Sequence, residues 1–143
     1  MATTTRDTTE LAAAYARAWN DHDLDAILSM QTDDMVFHLH VEGLTEVRGS
    51  AALREQFAFF FAALPDYRAD MRRSHVREGL VVLEYDISAT LALPFPVGDE
   101  VGQPTGRPMR LAAVDVLTCP VGAFSRKDTY VDGFALRRGL GLD

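Results

Sequence analysis

The residues of this sequence best suited to chemistry are an acid and a base in its last third, Asp115 and Lys127. The segments around them, about 108–119 and 124–131, read as two β-strands joined by a short turn. With the turn centred near Val121, residues whose numbers sum to about 242 face each other, which sets Asp115 across from Lys127. Burial would press such a pair toward neutrality while mutual attraction holds both charges, a competition that yields a usable base near neutral pH. Asp115 is then the candidate base, and Lys127 tunes it or stabilises a developing enolate or phenolate. A cross-strand ion pair that merely fixes register is the competing reading, and a one-residue slip would void the pairing.

Tyr85 adds a phenol donor able to polarise a substrate carbonyl, on a strand that otherwise carries Leu83, Ile87, Ala89 and Leu91. Its alternative is a core aromatic with its hydroxyl satisfied elsewhere. His38 and His40 share one face of an earlier strand, whereas Phe37 and Leu39 share the other. His38 could pass a proton at physiological pH if it lined a pocket. The apolar pair is the natural inward choice, however, which sends the histidines to solvent or to an interface. His22, in a loop, and His75, near a hairpin end, are assigned to the surface. Cys119 is the single cysteine and no Cys/His spacing resembles a zinc site, so neither a disulfide nor a structural metal is implied.

The elements that must position these groups follow from pattern. The 143 residues suit one domain, 1–143, and 48% apolar with 24% charged residues is the balance of a globular protein. A net charge of −7, with no basic cluster interleaved with aromatics, argues against a nucleic-acid partner. No apolar run approaches the roughly 20 residues of a membrane span, and Met1–Asp7 lacks an apolar signal core, which predicts a cytoplasmic chain with no membrane partner. Asp7 and Glu10 form a potential capping box ahead of Leu11, Tyr15 and Trp19 at helical spacing. After a break at Asn20-Asp21-His22, Asp23 can cap a short helix with Leu24, Ile27 and Leu28, and Met35–Val41 reads as the first strand. Ser50 can cap a third helix bearing Leu53, Phe57, Phe60, Phe61 and Leu64 and stopped by Pro65. Strand-like segments at about 67–76, 80–92, 108–119 and 124–131 have the spacing of an antiparallel meander, with a tight turn at Arg77-Glu78-Gly79. Helices first and strands afterwards predict an α+β fold. Leu93–Arg107, with three prolines and three glycines, is too long for a turn and suited to covering a pocket mouth.

Several motifs occur in an order that resembles a known family: Trp19-Asn20-Asp21-His22-Asp23, Asp33-Asp34-Met35-Val36-Phe37-His38, Gly49, Leu64-Pro65-Asp66, Pro104-Thr105-Gly106-Arg107, and Lys127-Asp128-Thr129-Tyr130-Val131-Asp132 followed by Leu140-Gly141-Leu142. Together they look like a SnoaL-like polyketide cyclase domain of the nuclear-transport-factor-2-like superfamily. The resemblance implies a cone, with about three N-terminal helices over a curved antiparallel sheet and a ligand pocket between them. Its enzymes move protons on small hydrophobic substrates without a metal or organic cofactor. It therefore implies a cofactor-independent cyclase or isomerase acting on a polyketide-like substrate; the alternative is a non-catalytic dimeric domain that binds a ligand or partner.

In the cyclases and epoxide hydrolases of this superfamily, the key acid of the last strand lies three residues before the aspartate that closes it. Counted back from Asp132, that position is Thr129, which cannot act as a general base. The same parity places Ser125, Lys127, Thr129 and Val131 inward, and Arg126, Asp128 and Tyr130 on the outer face, often a dimer surface, so a homodimer is expected. A bulge would turn Asp128 inward and make it the rival of Asp115. The epoxide hydrolases' arginine and second aspartate fall on Tyr85 and Ile87, which argues against that mechanism. Trp19, Phe37, Phe57, Phe61 and Thr129 are the residues expected to contact substrate, the aromatics serving as core first and pocket wall second.

Overall fold

Leu11, Tyr15 and Trp19 recur every four residues because they sit on helix α1 (Thr5–Asn20), in a computed structural model that describes the backbone of residues 5–142 and the side chains of 8–142. The expected Asp7 cap lies outside the described side chains, and the helix already begins at Thr5. Asp23 caps α2 (Leu24–Ser29) as expected, accepting from the Ala26 amide at 3.1 Å. Strand β1 (Gln31–His40) starts four residues before the apolar pattern predicts and is followed by the short β2 (Val47–Arg48). Helix α3 (Ser50–Ala63) takes Gly49 rather than Ser50 as its N-cap. The chain enters that helix with φ 93 at position 49, a left-handed backbone that glycine adopts without steric cost.

Strands β3 (Arg68–Arg77), β4 (Leu80–Thr90), β7 (Pro108–Thr118) and β8 (Phe124–Val131) fall within two residues of their predicted bounds. The main sheet has the order β2-β1-β8-β7-β4-β3. It is mixed rather than wholly antiparallel, because β1 runs parallel to β8. The last hairpin pairs Asp115 with Thr129 and Leu117 with Lys127, not Asp115 with Lys127. Its turn is centred one residue later than expected, on Gly122, whose φ of 79 supplies the reversal.

The Leu93–Arg107 loop folds on itself as a small hairpin of β5 (Phe95–Val97) and β6 (Glu100–Gly102). Phe95 and Val97 are buried with Leu91, Met109, Leu136 and Leu140 in a second core cluster beside the main one. That cluster depends on α4 (Gly133–Gly139), which the pattern reading did not foresee. Asp132 caps it by accepting from the Ala135 amide at 3.1 Å. Among the described residues, no helix is long and apolar enough to cross a membrane.

Candidate functional site

The pleat of the sheet turns one row of each central strand toward the helices. Tyr85 and Ile87 from β4, Met109 and Leu111 from β7, and Lys127, Thr129 and Val131 from β8 form the floor of a cleft. Trp19 of α1, Phe60 and Phe61 of α3, Phe37 of β1, Phe95 of the small hairpin and Leu136 of α4 close it, around about 670 Å³ counting its open mouth. Nearly all of this surface is hydrocarbon.

One end is different. Asp115 is 4% exposed, and its Oδ1 accepts hydrogen bonds from the Tyr85 hydroxyl at 2.8 Å and the Thr129 hydroxyl at 2.7 Å. Its Oδ2 lies 3.7 Å from Lys127 Nζ, also 4% exposed. Nζ sits 3.8 Å from the centre of a Trp19 ring, with the rings of Tyr15 and Phe37 at 5.1 and 5.7 Å. Burial lowers the proton affinity of the Lys127 amine, against the opposing pull of Asp115. Burial first, and the charge of Asp115 next, push the Tyr85 phenol far above its ordinary range, so Tyr85 stays a proton donor. Tyr67, against the same network, is raised by burial as well.

Tyr85, Lys127, Thr129, Trp19, Phe37 and Phe61 thus line the cleft as expected. Asp115 stands one step behind, in a small recess that shares Trp19, Tyr67, Tyr85 and Lys127 with the cleft as walls. Lys127 reaches it diagonally across the strands, which a long side chain can do from a position two residues off the facing one.

One expected wall is corrected, and two of the candidate catalytic residues are excluded from the cleft, on the face to which strand parity assigned them. Phe57 does not reach the cleft, because its position on α3 wedges it between Trp19 and Phe37, at ring separations of 4.8 and 5.3 Å, with no exposure. His38 lies on the outer face of the sheet, its ring 3.8 Å from that of His40, because alternation sends Phe37 and Leu39 inward. Asp128 also faces outward: β8 runs in unbroken register with β1 from Arg126 to Tyr130, so no bulge turns it over. Its carboxylate takes His40 Nε2 at 2.8 Å and Arg126 at 2.8 and 3.0 Å. Burial would raise the Asp128 pKa, but Arg126 and His40 outweigh it and hold the carboxyl below the usual range. His38, His40 and Asp128 offer ligand atoms within 4.8 Å of one another, yet Arg126 already occupies both Asp128 oxygens.

Pattern reading missed Tyr67, Phe95 and Leu136 as walls. Asp132 three residues before Ala135 was the available signal for the helix that carries Leu136.

An aromatic cone with one buried polar end defines a class of small-molecule pocket on this α+β frame. The family model for the SnoaL-like domain matches residues 12–126, and the chain belongs to that family. Its architecture is shared with AclR from Streptomyces galilaeus, assigned as a hydroxylase, at 23% identity over 96% of this chain and 87% of that one, TM-score 0.78. A protein from Xanthomonas campestris pv. campestris assigned as a polyketide cyclase matches at 18% identity over 96% and 99% of the two chains, TM-score 0.78. TerC, co-crystallised with polyporic acid, matches at 20% over 94% and 98%, TM-score 0.76. At these identities the likeness is one of fold. No protein of curated function matches the sequence.

Proposed function

We propose that this chain is a cofactor-independent cyclase or isomerase that moves protons on a small, apolar, polyketide-like substrate carrying a carbonyl group. The observation that supports this is the network of Tyr85, Asp115, Lys127 and Thr129 at one end of an otherwise apolar cleft. A cone that only had to fold would gain as much from hydrocarbon there, since a buried ion pair seldom outdoes well-packed apolar residues of similar volume. Asp115 is the base. Its Oδ1 is engaged by two hydroxyls, whereas Oδ2 meets Lys127 beyond hydrogen-bond length and is free to accept a proton. Lys127 faces the cleft and stabilises the enolate oxygen as that proton leaves, where low dielectric makes its charge count most. The aromatic walls suit flat, unsaturated substrates, in keeping with the polyporic acid with which TerC was co-crystallised.

The test is α-hydrogen exchange of 2-tetralone in D₂O, followed by NMR, with quenching of Trp19, the single tryptophan, as the measure of binding. Catalysed exchange that falls roughly 10²–10⁴-fold in Asp115→Asn is the expected result. Quenching without any exchange would support instead a domain that only binds its ligand. We also propose a homodimer through the outer sheet face, where Tyr130 is 47% exposed beside the half-buried Val114 and Val116.

A further inference from the structure

We propose that Lys127 forms an imine with the carbonyl carbon of the substrate, so that the cleft captures apolar aldehydes and ketones covalently. This rests on reading the cleft as a site of carbonyl chemistry, and it gives Lys127 a role beyond stabilising charge.

Composition is the first support. The chain has fourteen basic residues besides histidine, and Lys127 is the one lysine among them. Arginines serve the surface ion pairs, as in Arg54 with Asp25, Arg73 with Glu84, and Arg126 with Glu46. The lysine is reserved for the buried end of the cleft. A guanidinium keeps its proton under any condition a protein meets, so arginine can supply charge but never a nucleophile. An amine can supply both.

Surroundings are the second. Lys127 is on the cleft wall, its Nζ ringed by Trp19, Tyr15 and Phe37, and the one carboxylate paired with it among the described residues is 3.7 Å away. The ring faces attract the ammonium but replace only part of the water it loses, and burial leaves the proton affinity of Lys127 lowered.

The reaction balances without an oxidant or reductant. The ammonium proton passes to Asp115 Oδ2, and the nitrogen lone pair forms the C–N bond while the carbonyl π electrons move to oxygen. That oxygen takes one proton from the attacking nitrogen and the other back from Asp115 Oδ2, and departs as water toward the cleft mouth, leaving one hydrogen on the nitrogen and Asp115 again a carboxylate. The C=N bond replaces C=O, and its protonated form acidifies the neighbouring C–H for Asp115 to remove.

The experiment treats the untagged chain with 2-naphthaldehyde and cyanoborohydride and maps the adduct by mass spectrometry. Two amines compete, Lys127 and the α-amino terminus. The expected result is one naphthylmethyl group on Lys127, formed faster than on the terminus because the cleft gathers the apolar aldehyde beside the amine. Excess 2-tetralone should slow it, urea should reverse the preference, and Lys127→Met should abolish the adduct. Labelling confined to the terminus of the folded wild-type chain overturns the imine, whether or not the variant folds. Tetralone exchange that persists with Lys127 unmodified would leave the acid–base reading standing alone, and an imine without exchange would do the reverse.

Discussion

Replacing Lys127 with Met and Asp115 with Asn, singly and together, separates the cost of a stranded charge from the cost of losing a pair. Both side chains are 4% exposed, Met keeps most of the lysine stem, and Asn keeps an oxygen for the Tyr85 and Thr129 hydroxyls. In Lys127→Met, Asp115 retains those hydroxyls but loses the cation at 3.7 Å, at a cost of about 3 kcal/mol. In Asp115→Asn the amine can escape by shedding its proton, as burial already urges, so about 1–2 kcal/mol is expected. The double variant strands no charge and should lose only about 1–2 kcal/mol, against about 4–5 for the sum, a coupling of about 3 kcal/mol. Urea unfolding near pH 7, read by Trp19 emission, measures all four chains. The sign with pH is set by Lys127, whose folded-state proton affinity lies below the unfolded one. The unfolded chain therefore binds more protons below the ordinary lysine pKa of about 10.4, and wild-type stability rises as pH approaches it, a gain that Lys127→Met lacks. Additive single costs, or a wild-type advantage over Lys127→Met that falls as pH approaches the ordinary lysine value, would refute the account.

Asp128→Asn should leave tetralone exchange within about twofold, because Asp128 faces away from the cleft. It should instead cost acid resistance: the Asp128 carboxyl is held low, so its stabilisation is present above the ordinary aspartate pKa of about 3.9 and disappears as pH falls through the lower folded value, which acid titration by circular dichroism follows. Gly43→Ala puts a Cβ 3.0 Å from the Gly98 backbone at a φ of 86 and should cost about 1–3 kcal/mol, with faster amide exchange in Phe95–Val97 and Glu100–Gly102 than in the wild type. Even in the wild type, that three-pair hairpin should exchange faster than Leu80–Thr90, which is hydrogen-bonded on both sides. Tyr130→Glu should give a monomeric mass by light scattering at tens of micromolar where the wild type is a dimer.

The long strands were legible because turn-forming residues bound β3, β4, β7 and β8, and β4 in addition alternates inward Val81, Leu83, Tyr85, Ile87 and Ala89 with more polar neighbours. Shorter elements were not. The start of β1, Gln31-Thr32-Asp33-Asp34, is too polar to read as a strand. Helix α4 is seven residues long and is held by burying Leu136 against Met109 and Phe95, contacts that no local pattern encodes. With α4 and the small hairpin unseen, the walls they contribute, Leu136 and Phe95, were unseen too.

The site itself survived a wrong register for a physical reason. The facing sum moved from about 242 to Asp115 with Thr129, a change of two, and a change of two leaves every side chain on its own face. What moved was the partner: Thr129 is the residue facing Asp115, and it donates to that carboxylate at 2.7 Å. The carboxylate thus stands on β7 and the hydroxyl that orients it on β8. Lys127, one pleat away on the same face, then has both an acid within 3.7 Å and a way into the cleft. Even-numbered positions of the same strand, Arg126 and Asp128, spend their charge on each other in the outer network. Parity along eight residues thus separates an ion pair on the outer sheet surface from one at the polar end of the cleft.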